Sequence, residues 1–246
     1  MRRLDGNVAL ITGASRGLGR ALALAFAREG ADLILNARAG SAHDLASVGR
    51  EAEAAGARVL LVTADIAKRD DVERLAAAAL DRFGRVDILV NNASALGPTP
   101  MPYLSDYPPD AWDDVLRTNV SGPFLLTRAL VGPMIARGSG SIINISSDAG
   151  VVGYPTWGAY GVSKAALDHL TRTWAAELEG TGVRINSVDP GDMNTSMKRA
   201  SEPDGDATAW ANPESVTEVF VWLASNESTA SGQRFEAQSF IAPARI

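Results

Sequence analysis

The sequence predicts an α/β fold in which one parallel sheet is covered on both faces by helices. Three observations carry this. Short apolar runs rich in Val, Ile and Leu recur along the 246 residues. Stretches with helical spacing separate them. The runs are continuously apolar instead of alternating, as expected of strands buried on both sides.

The first run, Asn7–Thr12 (NVALIT), reads as a buried strand. Gly17–Glu29 follows as a helix, with Leu18, Leu22, Ala25 and Phe26 at helical spacing. Leu33–Ala37 is the second strand, and Ala42–Ala55 an alanine-rich helix. Arg58–Thr63 (RVLLVT) is the third strand, Arg69–Phe83 a helix and Asp87–Asn91 the fourth strand. Ala95–Pro109 holds five prolines and reads as a surface loop. Asp110–Arg137 is predicted mostly helical, with a bend at Gly122-Pro123, because proline lacks the donor a regular turn needs. Ser141–Ile145 is the fifth strand, Trp157–Glu179 a helix and Arg184–Val188 the sixth strand. Met193–Asn212 is polar and weakly periodic; it reads either as a substrate loop that moves or as a plain surface excursion. Pro213–Ala224 is the last helix and Arg234–Ala237 a seventh strand. No Gly/Ser linker or change of composition interrupts this series, so a single domain over 1–246 is expected.

Composition narrows the function. A net charge of -6, from 23 basic and 29 acidic residues, argues against nucleic acid as the main partner. No apolar run approaches the roughly 18 residues that span a bilayer, and the opening Met1-Arg2-Arg3-Leu4-Asp5-Gly6 turns polar too soon for a signal peptide. A cytoplasmic protein without a membrane partner is expected. With no cysteine, thiolate nucleophiles and cysteine-bound zinc are excluded, and no metal site is expected. A Ser-His-Asp enzyme would need His43 or His169 as its base. His43 begins a helix, and His169 lies nine positions beyond Tyr160, about two and a half turns, on the opposite side. Both read as surface residues.

The chemistry concentrates elsewhere. Thr12-Gly13-Ala14-Ser15-Arg16-Gly17-Leu18-Gly19 follows a predicted strand and opens a predicted helix. Glycines at 13, 17 and 19 permit a tight turn and close backbone approach, while the helix aims free N–H groups and its positive dipole end at a diphosphate. In that context the loop reads as a dinucleotide site. The end of the second strand, Leu35-Asn36-Ala37-Arg38, carries no acid to bind the ribose hydroxyls of NAD, whereas Arg38 and Arg16 suit a 2′-phosphate. NADP(H) is therefore favoured over NAD(H). Tyr160 and Lys164 stand four residues apart, on one face of the predicted helix. A phenol has a pKa of roughly 10, and a nearby cation favours the phenolate, so the pair suits a tuned proton donor.

Together these residues resemble the short-chain dehydrogenase/reductase family over nearly the whole chain, in the single-domain form typified by the 3-oxoacyl-acyl-carrier-protein reductases. Further matching positions are Asp65-Ile66 after the third strand, Asn91-Asn92-Ala93-Ser94 after the fourth, and Asn119 in the long helix. Ser147 precedes Tyr160 by thirteen residues, and Pro190-Gly191 follows the sixth strand with Met193 and Thr195 beyond. The resemblance implies a Rossmann-type doubly wound sheet of about seven strands, in the order 3-2-1-4-5-6-7. It implies hydride transfer between NADP(H) and a small carbonyl or secondary alcohol, with Tyr160 as general acid and Ser147 on the carbonyl oxygen. Lys164 would lower the tyrosine pKa and hold the nicotinamide ribose, and Asn119 would hold a water leading to solvent. Gly13, Ser15, Arg16, Gly17, Leu18, Gly19, Arg38, Asp65, Ile66, Asn92 and Ala93 would contact the cofactor, as would Tyr160, Lys164, Pro190, Gly191, Met193 and Thr195.

Each residue has a plainer reading. Ser147 caps a turn, Asn119 satisfies backbone in a distorted helix, and Lys164 is a solvated surface residue. A non-catalytic NADP(H) sensor or scaffold of the same fold is the rival from another class. An epimerase or dehydratase would need a substrate domain for which the chain has no room.

The sequence departs from the family at several points. Ser94 replaces a glycine, which would be uncomfortable in a left-handed backbone. Asp148 and Asp192 put carboxylates near the site; unless they point away, they favour a neutral or cationic substrate. Gln238-Ser239 stands where a glycine pair is usual, in a strand the family uses for subunit contacts. A homo-oligomer, dimer or tetramer, remains the expectation. Tyr154, Trp157 and Trp210 suit either an apolar pocket or packing.

Overall fold

The computed structural model describes residues 2–243; Met1 and residues 244–246, which the single-domain reading includes, lie outside the described residues. Seven parallel strands form one sheet in the predicted order 3-2-1-4-5-6-7. They are β1 (Val8–Thr12), β2 (Asp32–Ala37), β3 (Val59–Thr63), β4 (Ile88–Asn91), β5 (Gly140–Ile145), β6 (Val183–Asp189) and β7 (Arg234–Glu236). The α-helices are α1 (Gly17–Arg28), α2 (Ala42–Ala54), α3 (Arg69–Phe83), α4 (Pro109–Leu116), α5 (Gly122–Arg137), α6 (Gly158–Glu177), α7 (Ser196–Ser201) and α8 (Glu218–Ala224).

Alternate residues of each central strand enter opposite cores. Ala9 and Ile11, Leu33 and Leu35, Ile88 and Val90, and Ile143 and Ile145 pack with α1, α2 and α8. Leu10, Ile34, Leu89 and Ile142 pack with α3 and α5 on the other face. This double burial explains why the strands read as continuous apolar runs. The edge strand β3 shows the contrast, with Leu61 exposed at 40%.

Three segments differ from expectation. The break in the long helix is not a proline bend at Gly122-Pro123; it is a π-helical turn just upstream, Arg117–Ser121, which separates α4 from α5. The stretch 193–212 contains the short helix α7, capped by Thr195 Oγ1, which accepts from Lys198 N at 3.2 Å. The last helix is split into a 3-10 turn, Pro213–Val216, capped by Asn212, and α8. The backbone at Ser94 is not left-handed; among the described residues other than glycine only Thr156 has that conformation.

Candidate active site

A cleft of about 720 Å³ opens along the carboxyl ends of the strands. Its centre is the place where the chain order reverses between β1 and β4, which is where ligands bind in open α/β sheets. The loop after β1 supplies Gly13, Ser15, Arg16, Gly17, Leu18 and Gly19 to the cleft. At Gly13 and Gly19 this loop is packed too closely for a side chain. A Cβ on Gly19 would lie 2.2 Å from the Gly13 carbonyl oxygen and 2.6 Å from Asn92 Nδ2. Asn92 ties the loop to the end of β4, its amide donating to Thr12 O at 2.8 Å and Gly13 O at 3.1 Å. Thr12 Oγ1 in return accepts the N–H groups of Asn92 and Ala93, each at 3.0 Å. Beyond the loop, α1 begins with no side-chain cap and no acid in its first turn, so its first N–H groups and dipole are left for an anion.

Arg38 after β2, with Asp65 and Ile66 after β3, lines the same end of the cleft. Arg16 and Arg38 are exposed, and neither has an ion-pair partner among the described residues. Asn36, which the sequence reading did not single out as a contact, also lines the cleft, but its amide donates to Val62 O and Ala64 O across the strand. The cleft's other end is formed by Ala93, Ser147, Tyr160, Pro190, Gly191, Met193 and Thr195. The Thr195 methyl would stand 3.3 Å from a Cβ on Gly17, so the segment after β6 lies directly over the glycine loop.

Ser147 and Tyr160 face one another across the cleft wall. Ser147 caps the turn Asp148–Gly150 through Ala149 N at 3.2 Å and donates to Asp148 Oδ1 at 3.0 Å. Its plainer reading as a cap is thus true of the same side chain that meets the tyrosine. Trp157 packs edge-on against Tyr160 at 5.6 Å and lines the cleft; Tyr154 and Trp210 are not among the lining residues.

Lys164 is no surface lysine. It is 2% exposed, lies behind Tyr160 with Nζ 5.3 Å from the ring centre, and donates to Ile145 O at 2.7 Å. It does not line the cleft. Burial pulls its pKa down to about 8, while Asp168 and Asp189 pull the other way. The expected depression of the Tyr160 pKa is not found. Burial pushes the phenol well above its ordinary value, the Ser147 hydrogen bond opposes that, and Asp189 and Asp148 add to the rise.

Asn119 satisfies backbone in a distorted helix, as its plainer reading expects. It is 1% exposed, within the π turn and outside the cleft lining. Its amide donates to Ala95 O and Ser163 Oγ, both at 2.9 Å, and its oxygen accepts from Ser94 Oγ at 3.0 Å and Ala95 N at 2.7 Å. Both donors and both lone pairs of the side chain are engaged. It fixes α6 against the end of β4, since Ser163 Oγ donates onward to Tyr160 O at 2.6 Å. Ser94, the departure from glycine, supplies one of these bonds.

The two flagged acids are both occupied. Asp192 forms an ion pair with Lys198 at 2.7 Å, and Asp148 also accepts from Tyr154 OH at 2.9 Å. Gln238 uses its amide to clasp the carbonyls of Pro190 at 3.1 Å and Asp192 at 3.0 Å. Asp189, buried at the end of β6 and lining the cleft, is the site residue the sequence reading missed. Its signal was a carboxylate closing an apolar strand just before Pro190. No group of three or more His, Cys, Asp or Glu suited to a metal occurs among the described residues, and no described helix is long and apolar enough to cross a membrane.

Comparison with known proteins agrees with this geometry. Residues 7–206 match the short chain dehydrogenase family. A 3-oxoacyl-(acyl-carrier-protein) reductase from Thermotoga maritima is 37% identical over 235 residues, covering 92% of this chain and 94% of the relative. A protein from Shigella flexneri assigned as a short chain dehydrogenase and solved with NADP superposes with a TM-score of 0.87 at 30% identity, covering 96% of this chain and 99% of the other. Carveol dehydrogenase from Mycobacterium avium, solved with NAD, gives a TM-score of 0.89 at 26% identity, covering 96% and 97%. This chain is therefore a member of the short chain dehydrogenase family of oxidoreductases.

Proposed function

We infer that the protein reduces a ketone, or oxidises the corresponding secondary alcohol, with NADP(H). The observation that carries this reading is the shared cleft: Ser147 and Tyr160, the glycine loop with Arg16, and Arg38 after β2 line one continuous cavity, and neither arginine has an ion-pair partner among the described residues.

The residues fit a phosphorylated dinucleotide. The glycine loop gives close backbone approach, the uncapped start of α1 suits the diphosphate, and Arg16 and Arg38 suit the 2′-phosphate. The Shigella neighbour solved with NADP supports the same choice, while carveol dehydrogenase with NAD shows that the fold also takes the other cofactor. The arginines, not the fold, make the difference here. Asp65, Ile66, Asn92 and Ala93 would hold the adenine and central parts of such a ligand, and Pro190, Gly191, Met193 and Thr195 would hold its other end. Bound there, the cofactor supplies or accepts the hydride.

Tyr160 holds the proton. The phenol is protonated at ordinary pH, as a donor to an oxygen gaining negative charge must be; burial makes it a weaker acid, and the Ser147 hydrogen bond opposes that. Ser147 fixes that oxygen by hydrogen bonding. Lys164 has one of its three protons on Ile145 O, which leaves the others for a ribose hydroxyl of the cofactor. The stretch 193–212 serves as the substrate loop, since Met193, Met197 and Lys198 on it line the cleft. Turnover of a panel of ketones and aldehydes with NADPH and with NADH tests the reading. Activity with NADPH on some member is expected; binding of NADPH without turnover on any member would favour a sensor instead.

A further inference from the structure

Behind the Tyr160–Lys164 face lies a buried charge cluster that the reaction described above does not use. One turn beyond Lys164 on α6, Asp168 is 4% exposed, and its Oδ1 has no hydrogen-bond partner among the described residues. Its Oδ2 lies 3.5 Å from Nε of Arg234 on β7. The other end of that guanidinium reaches Oδ2 of Asp189 at 2.8 Å, at the end of β6. Asp189 is 7% exposed, and its Oδ1 takes the Gly191 N–H at 2.8 Å. Glu236 is a third, exposed acid 3.6 Å from Arg234.

Two buried carboxylates thus share one guanidinium, and one of them keeps an oxygen without a partner. As packing this is a poor arrangement, because desolvating charges costs more than such pairing returns, and apolar residues would fill the space at least as well. The charges balance only when Lys164 is counted. It stands one turn from Asp168 on the same face of α6, has no carboxylate in direct contact, and is the second buried cation of the group.

We propose that Asp168 and Asp189, tied together by Arg234, are positioning residues that hold Lys164 as a cation behind Tyr160. The inference rests on the role given to Tyr160 and Lys164 above. From α6, Lys164 is faced by Asp168 and the Tyr160 ring; from β6, by Asp189; from β5, by the Ile145 carbonyl. Asp189 is faced by Arg234 from β7 and Asp148 from the turn after β5. Negative charge at these two positions favours the ammonium over the amine. It opposes the burial that pulls Lys164 down, and Asp189 also discourages the phenolate.

The test reads the protonation of Lys164 without needing turnover. Urea unfolding is measured across pH for wild type and Lys164→Met, and again for Asp168→Asn and the Asp168→Asn/Lys164→Met double variant. Within each pair, the stability difference changes only where folded Lys164 loses its proton. In wild type that change begins near pH 8. In Asp168→Asn it begins about one pH unit lower. Asp189→Asn, which can still accept from Gly191 N, shifts it in the same direction and serves if Asp168→Asn does not fold. The alkaline limb of the carbonyl-reduction rate moves down by a similar amount. An onset unchanged in both variants, with stability simply lower at every pH, would show a structural role and overturn the proposal. Failure of the oxidoreductase reading would appear instead as an inert substrate panel, with the unfolding test still decisive for the charge cluster.

Discussion

Lys164→Met separates what the lysine does for chemistry from what it does for stability. The ammonium is buried, with one hydrogen bond, to Ile145 O at 2.7 Å, and burial lowers its pKa from 10.5 to about 8. In the unfolded chain it titrates at its ordinary value. Below pH 8 the lysine is charged in both states, and the folded protein bears the full cost of the buried cation. Between pH 8 and 10.5 the folded lysine sheds its proton while the unfolded one keeps it. The unfolded state then binds more protons, so stability rises with pH through that window. At 1.36 kcal/mol per tenfold, the window is worth about 3 kcal/mol. Methionine removes this cost and leaves the Ile145 carbonyl short of a donor, which costs about 1–2 kcal/mol. Near neutral pH the variant should therefore be more stable than wild type by about 1–2 kcal/mol, the net pKa shift already including the attraction of Asp168 and Asp189. Urea unfolding at a series of pH values reads the difference. The advantage should shrink from pH 8 upward and reverse by 10.5, where the neutral amine keeps its hydrogen bond at no charge cost. A variant less stable than wild type near neutral pH, or a gap that does not change with pH, would refute the reasoning.

Two other substitutions probe the cofactor end. In Gly19→Ala the new methyl meets Gly13 O at 2.2 Å and Asn92 Nδ2 at 2.6 Å, so the loop must open; a loss of about 1–3 kcal/mol in urea unfolding and weaker NADPH binding are expected, and an unchanged midpoint would contradict this. Arg38→Ala should weaken NADPH about tenfold, the worth of one solvent-exposed charge-assisted contact, and leave NADH nearly unchanged in a fluorescence titration. Equal losses for both cofactors would remove the 2′-phosphate argument.

What the sequence revealed and what it hid have the same physical origin. Strands β1, β2, β4 and β5 are buried on both faces, so their apolar runs marked them without reference to anything distant. Helix α3 was legible at both ends because acids occupy its first turn and Gly84 takes the left-handed cap. The glycine loop was legible because steric demand is local. The six-residue α7 escaped because it is too short to show a period and buries none of its residues. The π turn escaped because it is held from outside, by Asn119 reaching Ser94, Ala95 and Ser163. The Asp168–Arg234–Asp189 cluster joins three elements through contacts 45 residues or more apart, and no spacing along the chain encodes such a pairing. The same holds for the Tyr160 pKa. Four-residue spacing to Lys164 suggested a lowered value, but burial and Asp189 raise it.

The central claim is that Tyr160 gives its proton to a carbonyl oxygen as hydride arrives from the bound cofactor. The most direct measurement is kcat/KM for carbonyl reduction by wild type and Tyr160→Phe, beside NADPH affinity by titration. In Tyr160→Phe, kcat/KM should fall by about 10²–10⁴-fold with NADPH affinity nearly unchanged, the signature of a lost general acid. Activity surviving the substitution within a few-fold would contradict it.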